Sequence, residues 1–404
     1  MRPTIEQLMA TVGCQKFPER WQEIYDSAMA DFEANGCRMT DPGYIDVLAD
    51  RYGIIADQRE LYKAAASSVA EQEPLARLLA LLCAAAADTE NRLKDFKGFM
   101  LAYSTGEEPN LGLNMLPGLA LLSRMPECYE NLCRLGLPEE EIRRTMRIPE
   151  VTVGLFQEIY GGMPGYHLLH WYLRVIDGNL FRVGRLEVEP RSIFRGYAQV
   201  FRSKDGQIVA LGHERKVHAS GLALGAAGAE DLEGAWEANV EETDSCWMGH
   251  PYDEKGLVST QTVCLPKSDW EKVVSHKEPA SALHIPADGR LDPDGVTASI
   301  EAIREFLQTY FPDHDYRAFV CNSWLMNRDL ISFLGPDSNI SKFSMRFRPL
   351  TIKSKGRGVF TFVFHKPLPT VLEELPENTR LAKNLKAHYL SGKVLHEMYG
   401  FILR

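Results

Sequence analysis

Polar side chains occur near the ends of two apolar segments, residues 281–285 and 317–324. They are His284 in the first segment and Cys321, Asn322 and Ser323 in the second. An imidazole titrates near neutral pH and can accept a proton during a reaction, whereas thiol and hydroxyl groups can donate one. Both segments are rich in residues that favour strands, so the sequence predicts a reactive group at the end of each of two strands.

A loop and a helix link these two predicted strands. The loop, residues 287–295, contains Gly289, Arg290 and Gly295, and residues 296–311 then repeat apolar side chains at helical spacing. A loop that leads into a helix can surround an anion with backbone N–H groups. The unit therefore predicts a site that presents amide donors and a reactive strand end to one ligand.

The second group of polar residues is divided between the two faces of its strand, because side chains alternate along a strand. Cys321 and Ser323 share one face, and Asn322 and Trp324 share the other. Only one pair can point into a gap beside the strand. We favour Cys321 and Ser323, although a small core residue is the commoner fate of a cysteine.

Length and charge restrict the class of protein. The chain has 404 residues, 45% of them apolar, a formal net charge of -10 and a pI near 5.6. This length predicts two domains, and the acidic balance argues against affinity for nucleic-acid phosphates. The eight cysteines lack paired-ligand spacing, which favours a reducing cytoplasm over a disulfide framework.

Neither a secretory signal nor a membrane span is expected. Residues 1–13 lack the basic start and apolar middle of an export signal. The most apolar predicted helix, residues 74–87, is interrupted by Arg77 and is shorter than the roughly 20 residues that cross a bilayer. We expect a cytoplasmic protein with no membrane or nucleic-acid partner, and the sequence leaves its oligomeric state open.

The order of predicted elements changes near residue 177. Before it, periodic segments predict helices at 19–34, 44–51, 59–70, 74–89, 92–101, 117–132, 137–146 and 164–176. After it, we predict strands at 180–189, 197–202, 207–213, 256–265, 342–352 and 358–365, and short helices at 268–274 and 327–334. The fold class is therefore α+β, with a helical domain over residues 1–176 and a mixed-sheet α/β domain over residues 177–404.

This order of elements, from residue 180 to residue 365, resembles the GNAT superfamily of acyltransferases. Four short motifs narrow the resemblance: Phe-Arg-Val-Gly-Arg-Leu-Glu at 181–187, Leu-His-Ile-Pro at 283–286, Cys-Asn-Ser-Trp-Leu at 321–325 and Ser-Asn-Ile at 338–340. They look like those of a bacterial family that pairs a helical N-terminal domain with a GNAT-like C-terminal domain. The resemblance covers most of the chain.

The resemblance implies an acyl-CoA-dependent N-acyltransferase. Acetyl-CoA or another acyl-CoA would bind where the fourth and fifth strands separate, and the amine of a small molecule or peptide would attack the thioester. His284 would be the general base, or alternatively a histidine that is hydrogen-bonded within the sheet. Cys321 and Ser323 would act as acids or polar lining residues, and the backbone amide of Ile285 would face the thioester carbonyl.

The same resemblance implies a diphosphate site in the loop and the first turn of the helix. The residues expected to bind the cofactor are Gly289, Arg290, Gly295, Val296 and Thr297, together with Ile285 and, on the neighbouring strand, Asn322. This loop departs from the family pattern Q/R-x-x-G-x-G/A because it carries three aspartates, at 288, 292 and 294. Either these carboxylates point outward, with Asp294 serving as a helix cap, or coenzyme A is not held here.

No metal site is expected. The aspartates of the loop lack the register of a calcium-binding loop, and the separation of His213 and His218 does not match that of a zinc-binding helix. Lys353, Lys355 and Arg357 are basic residues at a predicted hairpin tip, where a solvated turn is more common than a phosphate site.

Two other functions stay open. The first is a GNAT-like protein that binds a ligand without catalysis, because the anion loop is unusual and residues 327–334 contain no tyrosine. The second is a scaffold whose helical domain docks a protein partner through the aromatic helix at residues 164–176. Ligand-induced stabilisation by acyl-CoA separates the enzyme from these alternatives.

Overall fold

The computed structural model describes residues 2–105, 107–366 and 370–404. The chain divides into two compact units. The first contains residues 1–183 together with 286–288, and the second contains residues 184–285 together with 289–404. The helical N-terminal region and the mixed-sheet C-terminal region confirm the predicted α+β class.

The first unit is built from helices. They are α1 (Ile5–Thr11), α2 (Trp21–Asn35), α3 (Pro42–Tyr52), α4 (Arg59–Ala70), α5 (Glu73–Ala87), α6 (Arg92–Gly98), α7 (Leu111–Leu122), α8 (Met125–Arg134), α9 (Glu139–Thr145), α10 (Ile148–Ile159) and α11 (Leu169–Ile176), with short strands β1 (Cys14–Lys16), β2 (Met100–Leu101) and β3 (Phe181–Val183). Helix α5 is central, since Leu78, Leu79, Leu81 and Leu82 are fully buried. The apolar face that predicted this helix therefore forms the core of the unit.

Three of the helix predictions for this unit differ from the structure by more than two residues. The helix predicted over 92–101 ends at Gly98, and Met100–Leu101 form strand β2. The single helix predicted over 117–132 is two helices, since α7 ends at Leu122 and α8 begins at Met125 with Pro126 in its first turn, while Pro117 lies inside α7. Helix α11 begins at Leu169, five residues later than predicted. Tyr166 and Tyr172, which the scaffold hypothesis placed on a surface, are buried and stack within the unit.

The second unit contains most of the strands. They are β4 (Leu186–Ile193), β5 (Ala198–Ser203), β6 (Ile208–Gly212), β7 (Arg215–Val217), β8 (Trp236–Ala238), β9 (Glu241–Glu242), β10 (Cys246–Gly249), β11 (Val263–Pro266), β12 (Trp270–Ser275), β13 (Pro279–His284), β14 (Ala318–Ser323), β15 (Arg348–Thr351) and β16 (Met398–Leu403). The helices are α12 (Pro293–Tyr310), α13 (Asp329–Leu334), α14 (Asn339–Met345), α15 (Gly358–Phe362) and α16 (Arg380–Leu390).

The strands that matter for the site are neighbours in the order β15-β16-β14-β13-β4. A second sheet has the order β12-β5-β6, and its β5–β6 hairpin confirms the hairpin predicted from residues 197–213. Apolar side chains from both sheets form one core, which includes Val200 of β5, Val320 of β14 and Phe401 of β16. This core supports one face of the main sheet.

Several predictions near the end of the chain are wrong. Residues 268–274 form strand β12 instead of a helix, because they pair with β5. Residues 358–365 begin as helix α15, and the predicted strand at 342–352 is the end of α14 followed by β15. The partner of β15 is β16, which is inserted between β15 and β14 and which the sequence analysis did not predict. Distant pairing, which local patterns do not encode, decides these segments.

Substitution of Gly400 by alanine tests the close packing of β16. A Cβ atom at this position would lie 2.5 Å from Sδ of Met326 and 2.9 Å from Cβ of Phe347. We expect the variant to lose about 1–3 kcal/mol of unfolding free energy, measured by urea denaturation. The control is Gly154→Ala in α10, where a Cβ meets nothing within 4 Å and a gain of up to about 1 kcal/mol is expected. Equal stability of the two variants would contradict this packing.

Candidate active site

Strands β13 and β14 run parallel and then separate. Their register joins Ala280 to Ala318 and Ser281 to Phe319, and it ends where Ala282 pairs with Val320. Both strands continue beyond this pair, β13 as far as His284 and β14 as far as Ser323. The two predicted reactive strand ends therefore flank one opening in the sheet.

Each separated strand end is held by its outer neighbour. Strand β13 stays paired with β4 as far as His284, which lies opposite Glu187. Strand β14 stays paired with β16 as far as Ser323, which lies opposite Met398. Among the residues that the structure describes, no register pair joins β13 to β14 beyond Ala282 and Val320, and an extended ligand can enter between the strands at this point.

The polar residues predicted for the site lie on two different faces of the sheet. Because Ala282 pairs with Val320, the residues two positions further, His284 and Asn322, share one face. Cys321 lies on the opposite face with Phe319, whose ring is covered by Arg304 of α12. The structure thus brings His284 and Asn322 together on one face, and it places Cys321 and Ser323 on the face that packs against the helix.

A carboxylate accompanies His284. Its Nε2 atom lies 3.4 Å from Oε2 of Glu189, and both side chains are partly buried. Glu187, which lies opposite His284 in the register, is buried on the same face of β4 as Glu189. His284 and the two glutamates therefore lie together at the end of β13. The sequence analysis missed both glutamates, although the alternation of residues 180–189 was a signal for them.

Cys321 and Ser323 have defined local environments. Cys321 is 2% exposed, and burial raises the pKa of its thiol to about 12. The hydroxyl of Ser323 accepts a hydrogen bond of 3.2 Å from the backbone N–H of Leu325, which begins the turn after β14. Cys321 is therefore a protonated core thiol at neutral pH, and Ser323 caps a turn.

The start of α12 differs from the predicted arrangement. The N-cap residue is Asp292, not Asp294, and its carboxylate accepts the N–H of Gly295 at 2.8 Å. The N–H of Val296 is bonded to the carbonyl of Asp292, and Pro293 has no N–H. Much of the donor capacity of this helix end is therefore used by Asp292, which takes the place that an anionic ligand would otherwise occupy.

Positive charge lies beside the same helix end. Arg346 donates to the carbonyl of Pro293 at 3.0 Å and to the hydroxyl of Thr297 at 2.7 Å. Asp288 is paired with Arg182 at 3.0 Å, which reduces the negative potential of the loop. The side chain of Arg290 and the backbone of Gly289 are exposed. Of the three aspartates in this loop, Asp288 is therefore neutralised by an ion pair and Asp292 caps the helix.

The basic residues at 353–357 do not lie at a hairpin tip. Their segment connects β15 to α15 and surrounds the carboxylate of Glu397, which accepts the N–H of Gly358 at 2.6 Å and the N–H of Gly356 at 3.2 Å. Lys355 is paired with Glu230 at 3.3 Å. An internal carboxylate therefore occupies the amide donors of this segment.

A separate cleft of about 900 Å³ lies at the outer edge of β15. It is lined by residues of β6, the segment 251–255, α13 and β15, among them Arg328 and Arg348. Strands β14 and β16 lie between β15 and the opening beside β13. This cleft is consequently distinct from the separated strand ends.

The fold and the strand opening define a two-part chain whose mixed-sheet part has the architecture of GNAT acyltransferases. The sequence matches the family described as GNAT-like C-terminal domain over residues 180–402, which is more than half of the chain. The protein therefore belongs to this family. No curated protein matches the sequence.

Solved structures of acyltransferases share the fold over nearly the whole length of the chain. A mutant acyltransferase in complex with octanoyl-CoA has a TM-score of 0.61 at 18% identity, with 99% of both chains covered. An acyltransferase in complex with decanoyl-CoA and teicoplanin has a TM-score of 0.61 at 19% identity, with 98% of each chain covered. A third structure, of an acyltransferase with CoA and 10C-teicoplanin, is equally similar.

Residues 2–105, 107–366 and 370–404 contain no helix that is both long and apolar enough to cross a membrane. The same residues contain no cluster of three or more histidine, cysteine, aspartate or glutamate side chains with the geometry to hold a metal ion.

Thiol alkylation tests the environment of Cys321. Because its pKa is raised to about 12, the thiolate that reacts with iodoacetamide is nearly absent at pH 8. We expect Cys321 to remain unmodified in the native protein, while the exposed Cys133 and Cys264 are alkylated. Peptide mass mapping before and after denaturation measures the difference. Alkylation of native Cys321 as fast as Cys133 would show that the thiol is accessible and ionised.

Proposed function

We propose that this protein is an acyltransferase that uses acyl-CoA as its co-substrate and transfers the acyl group to an amine. The observation that carries the proposal is the opening between β13 and β14, where the register ends at Ala282 and Val320 although both strands continue. An extended pantetheine arm can bind such an opening as an additional strand would. The ligands of the structurally similar acyltransferases support this choice of co-substrate.

His284 is the general base in this proposal. It takes the proton from the amine nitrogen as that nitrogen attacks the thioester carbonyl carbon, and Glu189 stabilises the resulting imidazolium. The carbon–sulfur bond then breaks, and the imidazolium returns the proton to the departing thiolate. The products are an amide and free CoA, so one proton moves from nitrogen to sulfur.

Backbone amides supply the remaining chemistry. The N–H of Ile285, directly after β13, is placed in this proposal to stabilise the oxyanion of the tetrahedral intermediate. Pro286, the next residue, has no N–H and ends the strand. Asn322 shares the face of His284 and is suited to a polar contact with the co-substrate, whereas Cys321 and Ser323 line the opposite face.

The acceptor in this proposal is the amine of a small molecule or a peptide. An acyltransferase of the same fold has been crystallised with decanoyl-CoA and teicoplanin, and another with CoA and 10C-teicoplanin. These complexes support an acceptor larger than a single amino acid and a donor with a medium-length acyl chain. The acidic sequence, with a net charge of -10, is compatible with a cationic amine acceptor.

Thermal unfolding with acetyl-, octanoyl- and decanoyl-CoA tests the co-substrate. A ligand that binds only the folded protein stabilises it by about 2.7 kcal/mol at a concentration of 100 times its Kd. We expect saturable stabilisation by at least one acyl-CoA and, with an amine present, mass-spectrometric detection of the amide. Binding without transfer would favour the ligand-binding alternative, which the carboxylate of Asp292 at the helix start also favours. Absence of any stabilisation would contradict both.

Substitution of His284 by alanine tests the base. We expect kcat for acyl transfer to fall about 100- to 10,000-fold, because general-base catalysis contributes that much, while the affinity for acyl-CoA changes little. Glu189→Gln keeps the shape but removes the charge, so a smaller loss of kcat is expected. The matched control is His218→Gln, a histidine in the segment after β7 that is hydrogen-bonded to Ser220. If His284→Ala retains full kcat, another group is the base.

A further inference from the structure

We infer that Arg185 is a positioning residue that turns the backbone N–H groups of Arg290 and Leu291 outward to receive the diphosphate of acyl-CoA. This inference rests on the proposed function. The guanidinium of Arg185 donates from Nε to the carbonyl of Arg290 at 2.7 Å and from Nη2 to the carbonyl of Gly289. One planar group thus holds two consecutive carbonyls of the loop.

The orientation of the amides follows from the geometry of the peptide bond. In a trans peptide the C=O and the following N–H point in opposite directions. The carbonyl of Gly289 belongs to the same peptide as the N–H of Arg290, and the carbonyl of Arg290 to the same peptide as the N–H of Leu291. Because both carbonyls face Arg185, both N–H groups face away from it. Two adjacent donors on one side of a loop form an anion site.

Neither of these two N–H groups is used elsewhere in the described loop. Within the part of the chain that the structure describes, no acceptor is recorded for the N–H of Arg290 or of Leu291. At the adjacent helix start the N–H of Gly295 is bonded to Asp292. The carboxylate of Asp292 thus competes with a diphosphate at the first turn of α12, and in this inference the amides of Arg290 and Leu291 are the main donors.

Arg185 is itself fixed in place. Its backbone N–H donates to Oγ of Ser299 at 2.7 Å, and that hydroxyl donates to the carbonyl of Gly295 at 2.7 Å. Ser299 is buried in α12. The preceding residue, Gly184, has a φ of +60°, and a Cβ atom there would lie 2.5 Å from Oγ of Ser299. This close approach of Gly184 to Ser299 holds the backbone of Arg185 against α12.

The test compares a co-substrate that has the diphosphate with one that lacks it. Arg185→Lys keeps the charge but lacks the rigid planar group that holds two carbonyls in fixed directions. We expect KM for acyl-CoA to rise about tenfold at an unchanged kcat, and KM for the corresponding acyl-pantetheine to stay within about twofold of the wild-type value. Stabilisation on heating should decrease for CoA and stay the same for pantetheine. The control is Arg191→Lys in β4, whose side chain pairs with the exposed Asp313.

The outcomes are separable. An unchanged KM for acyl-CoA overturns the role of Arg185, and an equal rise in KM for both thioesters overturns it too, because that pattern indicates a general distortion of the site. If the wild-type protein transfers the acyl group from neither thioester, the proposed function fails first. Turnover of both by the wild type, with a loss confined to acyl-CoA in Arg185→Lys, supports the inference.

Discussion

The structure of the site depends on the unequal pairing of two neighbouring strands. The pairing between β13 and β14 ends at Ala282 and Val320. Strand β13 nevertheless stays paired with β4, and β14 with β16, as far as their last residues. The hydrogen bonds to these outer strands fix the geometry of the two strand ends beside the opening. The opening therefore requires a sheet that extends on both sides of it. Strand β16, which is distant from β14 in the sequence, is part of this support.

Local patterns were sufficient for several elements that a single amphipathic period defines, although helix α10 was not predicted. Helix α4 has the predicted bounds, α12 differs from its prediction by at most three residues at either end, and β13 and β14 were both found. Failures concentrate where a distant partner decides the outcome. The segment predicted as a helix over 268–274 contains most of strand β12 because it pairs with β5. Strand β16 was missed because no local feature of its apolar sequence indicates that it pairs with β14 and β15.

The candidate site shows the same division. The sequence indicated His284, because a histidine at the end of a predicted strand can be recognised without knowledge of the tertiary structure. It did not indicate that Glu189 would lie 3.4 Å away, since this contact depends on the register between β13 and β4, two strands that are far apart in the sequence. Strand alternation placed Cys321 and Asn322 on opposite faces, as observed, but it could not decide which face His284 shares. That required the register of β13 against β14.

The loop between β13 and α12 illustrates how charge can be misleading when it is counted without geometry. Three aspartates beside a diphosphate would be repulsive if all were exposed and unpaired. Asp292 instead caps helix α12, and Asp288 forms an ion pair with Arg182. Of the three aspartates, Asp294 alone has neither of these roles. The same cap occupies the N–H of Gly295, so in the proposed diphosphate site the loop backbone contributes more than the helix start. A loop that must present its amides without a glycine-rich sequence needs something to hold its carbonyls, and the guanidinium of Arg185 is placed to do so.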